Sequence, residues 1–299
     1  MLNSWHKNPT NNLLTIGQAK IWLTENWPLG KAQSTLISWL LAFITNRPVS
    51  QIIAYPEISL TIGQQHRLRQ ALSKLTTGHP LAYITGQQDF YGRSFQTTPA
   101  VLVPRPESEC LIDIIKRLRL DFNQSTAWLD IGTGSGCLII STALELANSD
   151  YFGGSDISRS ALKIAKLNGS NLKAKIDWRH GSLLKPWLKD DFGPIKQIFI
   201  LANLPYLTPD KYYQRKNELH HEPKLALLGG TDGLELFKKL ALELPLFIKN
   251  HPQQIIHVLT ESSLGQVIAL QNILAVGGLK WQQSFPDLTG RARFNWWHN

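Results

Sequence analysis

The sequence predicts an α/β fold: a small helical N-terminal domain followed by a larger domain built on a doubly wound parallel sheet. Three observations carry that reading. Residues 13–80 place their apolar side chains at helical spacing. From about residue 126, short apolar runs alternate with amphipathic stretches, the pattern of a parallel sheet covered on both faces. The first such run ends in Asp130-Ile-Gly-Thr-Gly-Ser-Gly136, a glycine turn set between a strand and a helix. The expected boundaries are a helical bundle over 1–85, a β-hairpin linker over 86–109 and the sheet domain over 110–299.

In chain order, Ile16, Ala19, Ile21, Trp22 and Leu23 form one apolar helical face. Leu36, Ile37, Trp39, Leu40, Phe43 and Ile44 form a second, and Leu60, Ile62, Leu68, Ala71, Leu72 and Leu75 a third. Pro28, Pro48, Pro56 and Gly78 punctuate them. Over 81–105, aromatic and β-branched residues alternate around Gly86, Gly92 and Pro99, which predicts the hairpin. An amphipathic helix follows over 110–120. The sheet domain then reads as strand 127–129, helix 137–146, strand 151–156 and helix 158–172 with Ser158 as N-cap. Strands 177–180 and 198–202, helix 234–244, strand 255–259 and helix 263–274 come next. Segments 279–285 and 291–297 are expected to close the sheet as an antiparallel pair, with Trp296 and Trp297 ending an edge strand.

Composition bounds the class. With 43% hydrophobic and 18% charged residues over 299 positions, the chain buries real cores and is not a disordered one. The net charge of +9 allows a nucleic-acid partner but does not require one, because the basic residues are scattered rather than blocked. Cys110 and Cys137 form neither a disulfide framework nor a metal cluster, and read as reduced core residues. The polar N-terminus lacks the apolar core of a signal peptide, and the apolar stretch 36–44 is too short to span a bilayer. A cytoplasmic protein with no membrane partner is the expectation.

Two motifs carry chemistry. In the glycine turn, Gly132, Thr133, Gly134, Ser135 and Gly136 let the backbone press against a nucleotide-like ligand, and Asp156 lies twenty residues beyond Gly136 at the end of the next strand. A carboxylate there can accept both hydroxyls of a ribose diol. Position 137 is Cys, where a dinucleotide fingerprint places its third glycine. That departure, with the second motif, favours S-adenosylmethionine over a nicotinamide cofactor. Asp130 either orders the loop amides or receives the donor's amino group.

The second motif is Asn203-Leu-Pro-Tyr206, after the 198–202 run. An amide nitrogen is a poor nucleophile, so the useful device is positioning. The Asn203 side-chain oxygen and the Leu204 backbone carbonyl can each accept one N–H of a planar amine. Pro205 stiffens the turn and Tyr206 packs on the flat face. If the strands preceding the two motifs are neighbours at the sheet's reversal point, donor and acceptor face each other.

Further segments carry a resemblance: Gly78-His-Pro-Leu-Ala-Tyr-Ile-Thr-Gly86, Val101-Leu-Val-Pro-Arg-Pro-Glu107 and Leu129–Gly136, then Ser155-Asp-Ile-Ser158 and Glu222-Pro-x-x-Ala-Leu-x-Gly-Gly230. Asp232-Gly-Leu234, Gly265-Gln266 and Asp287-Leu-Thr-Gly-Arg-Ala-Arg293 complete the set. Over residues 78–294 the chain resembles the HemK/PrmC family of protein-glutamine N5-methyltransferases. The resemblance implies a class I (Rossmann-like) S-adenosylmethionine-dependent methyltransferase domain with a seven-stranded sheet, and a helical domain that docks the substrate protein. The implied substrate is the glutamine of the Gly-Gly-Gln loop in peptide chain release factors. By position, Gly132 to Gly136, Asp156, Leu183 and Asn203 would line the donor pocket, and Asn203 to Tyr206 would hold the glutamine. The family pattern has proline where this chain has Leu204, which still offers its carbonyl. Asn-Leu-Pro-Tyr also resembles ribosomal-RNA adenine dimethyltransferases, so the competing reading is an adenine N6-methyltransferase acting on RNA or DNA. His220-His221 shows no third metal ligand, and no metal is expected. Arg105 either meets donor or substrate or ties the hairpin to the sheet. Glu261 either caps a helix or serves the site.

Overall fold

The computed structural model describes residues 13–28, 34–122, 124–146, 150–215, 219–263 and 265–299. The polar stretch 1–12, read above as lacking a signal peptide, lies outside them. Two compact units divide the chain, residues 1–85 and 86–299.

Among its described residues the first unit holds five helices: α1 (Ile16–Asn26), α2 (Ser34–Thr45), α3 (Val49–Ala54), α4 (Ile62–Thr76) and α5 (Leu81–Thr85). Capping boxes start two of them. Thr15 pairs reciprocally with Gln18, and Thr61 with Gln64, so two otherwise orphaned amides are satisfied at each helix start. Leu23, Leu40, Leu41, Leu68 and Leu72 meet in one core. Four expected core residues point outward instead: Ile21, Trp39, Phe43 and Ile62 are exposed. Ile62 is exposed because the Thr61 cap begins the helix there and Leu68, Ala71, Leu72 and Leu75 take the buried face. Residues 81–85, which open the 81–105 stretch read as a hairpin but lie within the 1–85 helical boundary, form α5.

The second unit opens with the hairpin β1 (Gln87–Phe90) and β2 (Arg93–Gln96). Assigned above to a linker, it packs into this unit, where Phe90 and Phe95 share a core with Leu111, Ile112 and Ile115 of α6 (Cys110–Phe122). The sheet contains β3 (Thr126–Ile131), β4 (Tyr151–Asp156), β5 (Asp177–His180), β6 (Gln197–Ala202), β7 (Ile255–Glu261), β8 (Lys280–Pro286) and β9 (Ala292–His298). Its order is β5-β4-β3-β6-β7-β9-β8. The first five strands run parallel, and β9 is antiparallel to both β7 and β8. This is the Rossmann-like arrangement, with the chain reversing direction across the sheet between β3 and β6. Helices α7 (Cys137–Glu145), α8 (Arg159–Asn171), α9 (Pro209–Gln214), α10 (Glu235–Asn250) and α11 (Val267–Val276) lie between the strands in sequence.

Every residue of β3 and β6 is buried. Leu129, Ile198 and Ile200 face the core shared with α10 and α11, while Trp128, Phe199 and Leu201 face the one shared with α6 and α7. Burial on both faces explains why these strands read as continuous apolar runs. On the second face a row of rings crosses the strands. Trp128 stacks on Phe199 at 4.5 Å, and Phe199 on His257 at 4.2 Å. Burial pushes the His257 imidazole down to about 3, so its Nδ1 is a neutral acceptor for the Trp296 indole N–H at 3.2 Å.

Three expectations need correction. Helix α10 does not stop at Leu244 but runs through Pro245 to Asn250. The proline forfeits one helical hydrogen bond, yet its ring is on the exposed side and the burial of Leu244 and Phe247 holds the next turn in place. Helix α11 starts at Val267 rather than Ser263, because Gly265 adopts φ 85° before it. Strand β9 is interior rather than an edge: it lies between β7 and β8, and Trp297 is fully buried.

Candidate active site

The site grows from the reversal point. β3 and β6 are parallel neighbours, with Asp130 opposite Leu201, so the turns that follow them lie side by side at the carboxyl edge. A Cβ placed on Gly132 would stand 3.3 Å from a Leu204 methyl.

The first turn is shaped by left-handed backbone at Gly132, Gly134 and Gly136, with φ of 76°, 57° and 79°. Side chains rarely adopt that region, which is why the sequence uses glycine there. At Gly134 a Cβ would meet open space, so its glycine serves backbone shape; at Gly136 it would crowd Trp178 and Ile140. The Gly132 and Thr133 amides donate to the Ser155 carbonyl at 2.8 and 2.9 Å. Asp156 accepts the Gly134 amide at 2.9 Å on one oxygen and the Ser158 amide at 2.8 Å on the other. The Thr133 hydroxyl donates to Asp130 at 2.6 Å, a side-chain tie within the turn. Burial pushes the Asp130 carboxyl up to about 7 against that hydrogen bond. Buried Ser135 offers its carbonyl to Asn168 at 2.9 Å. Leu183 is buried in a left-handed conformation, φ 48°, in the segment after β5 whose Gly181 amide returns to the Asp156 carbonyl at 3.0 Å. An open glycine tip, a carboxylate at the end of the next strand and an apolar side chain after β5 suit an adenosyl ligand. The residues therefore fit S-adenosylmethionine.

The second turn, Asn203 to Tyr206, is clamped from behind. Gly229 and Gly233 sit so close that added Cβ atoms would collide with the Pro205 and Tyr206 carbonyls. The Leu207 amide donates to the Leu227 carbonyl at 3.0 Å, and the Gln266 side-chain amide to the Tyr206 carbonyl at 3.3 Å. The Asn203 amide nitrogen donates to the Ser108 hydroxyl oxygen at 3.2 Å. Among the described residues, neither the Asn203 side-chain oxygen nor the Leu204 carbonyl accepts a hydrogen bond.

Behind Asn203 lies a polar cluster. The Ser108 hydroxyl donates to Glu261 Oε2 at 2.5 Å, and the Tyr206 hydroxyl to Glu261 Oε1 at 3.3 Å. Arg293 reaches Oε1 at 3.6 Å while its Nε holds Asp287 at 3.0 Å. Burial raises the Glu261 carboxyl, opposed by Ser108 and Arg293, and burial beside Glu261 raises the Tyr206 phenol. Glu261 thus bonds Ser108 and Tyr206 and does not cap α11. Arg105 ties down a loop: it pairs with Glu222 at 2.5 Å, whose other oxygen accepts the Val103 amide at 3.0 Å. The His220 and His221 rings lie 3.7 Å apart, tilted by 47°, and among the described residues no cluster of His, Cys, Asp or Glu suits a metal ion. Desolvation pushes the half-buried Cys137 thiol up to about 12, which disfavours the thiolate near neutral pH.

Sequence reasoning missed Ser108. It follows the quoted segment ending at Glu107, and only the rigid Pro104-Arg105-Pro106 before a polar run hints at it. Gln266, Asp287 and Arg293 were visible as motif letters; their roles came only with the contacts.

Comparisons with known proteins bear on the family and the fold. A family model for the PrmC N-terminal domain matches residues 31–86. A release factor glutamine methyltransferase of Koribacter versatilis is 37% identical over 208 residues, 68% of this chain and 70% of that protein. The enzyme of the same description from Neisseria gonorrhoeae is 34% identical over 231 residues, 76% and 80% of the two chains. Among solved structures, the hMettl16 catalytic domain in complex with a 3′UTR hairpin has a TM-score of 0.51 at 16% identity, covering 86% of this chain and 89% of that one. That likeness shows the fold.

Proposed function

The chain belongs to the release factor glutamine methyltransferase family, and from that premise we propose how its residues move a methyl group from S-adenosylmethionine to the side-chain nitrogen of a glutamine. The substrate in this reading is a peptide chain release factor, engaged at its Gly-Gly-Gln loop. The observation that carries it is a pair of acceptors on consecutive residues, Asn203 Oδ1 and the Leu204 carbonyl, that accept no hydrogen bond among the described residues and lie beside the glycine turn.

The donor would be held by Gly132 to Gly136, by Asp156 at the ribose and by Leu183 at the adenine. When bound it supplies a methyl carbon made electrophilic by sulfonium. The chain's own residues do the rest. Asn203 Oδ1 and the Leu204 carbonyl each accept one N–H of the glutamine amide, which fixes the nitrogen and leaves its remaining face open for attack. The nitrogen loses one proton on methylation, which passes to bulk water, since neither amide oxygen is basic enough to keep it. Pro205 stiffens the turn that carries the two acceptors, and Tyr206 flanks the carboxamide. Positioning of this kind supplies much of the rate, since a misplacement of about 1 Å costs about a hundredfold. The helical unit, residues 1–85, would dock the release factor. The reading sets the protein in the cytoplasm, where release factors act; no helix among the described residues is long and apolar enough to cross a membrane.

The test offers labelled S-adenosylmethionine to a purified release factor and, in parallel, to ribosomal RNA. Label is expected on the release factor alone, at the loop glutamine. Asn203→Ala is expected to lower kcat by about a hundredfold or more while donor binding persists. Near-normal turnover by that variant, or label on RNA, would overturn the reading.

A further inference from the structure

Asn203 is useful to an amide substrate only one way round. Its oxygen must face the acceptor, because a side-chain NH₂ pointed at a substrate NH₂ sets donor against donor. The two ends of an asparagine amide have nearly the same shape, so packing alone does not choose between them. Something must define the orientation, and the polar cluster behind Asn203 can do so.

Resting on the reading of Asn203 above, we infer that Glu261, acting through Ser108, sets which end of the Asn203 amide faces the substrate. A serine hydroxyl has one hydrogen to give. At 2.5 Å from Glu261 Oε2 it makes the short bond expected between a hydroxyl and a carboxylate. An ionised carboxylate has no hydrogen to return, so the Ser108 proton is committed to Glu261. Ser108 Oγ is left with lone pairs only toward Asn203, at 3.2 Å. Only the NH₂ end of the amide is complementary to it. The reverse orientation would set carbonyl oxygen against hydroxyl oxygen. Asn203 Oδ1 is therefore directed away from Ser108, as the acceptor the reaction needs.

The sense of this relay depends on the charge of Glu261. The groups that face it are Arg293 from β9, Tyr206 from the acceptor turn, Ser108, and Glu107 more remotely. Arg293 and the two hydroxyls favour the carboxylate; burial and Glu107 oppose it. A protonated Glu261 can donate to Ser108, which frees the serine hydrogen to bond the oxygen of Asn203 and turns the amide around. Glu261 and Ser108 are positioning residues: neither touches the reacting atoms.

The experiment measures kcat and KM against pH on the full chain with its release factor, for wild type, Ser108→Ala, Ser108→Thr and Asn203→Ala. Wild-type kcat is expected to fall on the acid side through a group titrating above the ordinary glutamate range, with KM for the donor unchanged. Ser108→Ala is expected to lose about 10- to 100-fold in kcat, the scale of one hydrogen bond in a charged network, and to lose that acid limb. Ser108→Thr keeps the hydroxyl and is expected to recover to within about threefold of wild type. A wild-type profile with no acid limb overturns the relay without recourse to any variant. So does Ser108→Ala with wild-type kcat, or Ser108→Thr as slow as alanine. If Asn203→Ala itself turns over normally, the reading of Asn203 has failed; if it is inactive while Ser108→Ala is normal, only the relay has.

Discussion

At the scale of single residues, Asp156 has two tasks. It orders the glycine turn through the Gly134 amide and starts α8 through the Ser158 amide, and its proposed third task is to accept a ribose hydroxyl. Asp156→Ala is expected to weaken donor binding about 10- to 100-fold, as befits loss of charge-assisted hydrogen bonds, with Asp156→Asn in between. Calorimetry with S-adenosylmethionine checks this, and unchanged affinity would place the pocket elsewhere. The glycine turn and Asn203 to Tyr206 were legible in the sequence because their chemistry sits in consecutive residues. The support behind Asn203 was not. Ser108 meets residues 95 and 153 positions away, and only the strand order brings them together.

At the scale of elements, the ring row across β3, β6 and β7 makes a pH-dependent sheet. In the unfolded chain a histidine takes up its proton as pH falls through about 6.5. Folded His257 resists until about 3. Between those values the unfolded chain binds more protons, so stability drops with falling pH, by up to about 1.4 kcal/mol per unit. His257→Phe keeps a ring in the row and removes the proton site. Its melting temperature is expected to fall less between pH 7 and pH 5 than that of wild type, and parallel curves would contradict the account. The strands themselves were readable because both faces are buried. The passage of α10 through Pro245 and the packing of the hairpin were not: each is decided by distant partners that outweigh a local signal.

At the scale of the whole molecule, the chain holds separate cores. Leu23, Leu40 and Leu68 close one within residues 1–85, and none of its members belongs to the two clusters flanking the sheet. A chain of residues 86–299 is expected to melt cooperatively and bind S-adenosylmethionine as the full chain does. Its KM for an intact release factor should rise at least about tenfold, 1.4 kcal/mol of lost docking. Unaltered KM would remove the docking role from the helical unit.

The placement of β9 between β7 and β8 has a consequence for biogenesis. During synthesis, β7 is complete long before its outer neighbour emerges, since α11 and β8 come first. Until then it presents a row of unpaired amides and carbonyls, the template on which stray chains aggregate. A product cut short before residue 292 would keep that template open for good, and should accumulate as insoluble material rather than as a weakened enzyme.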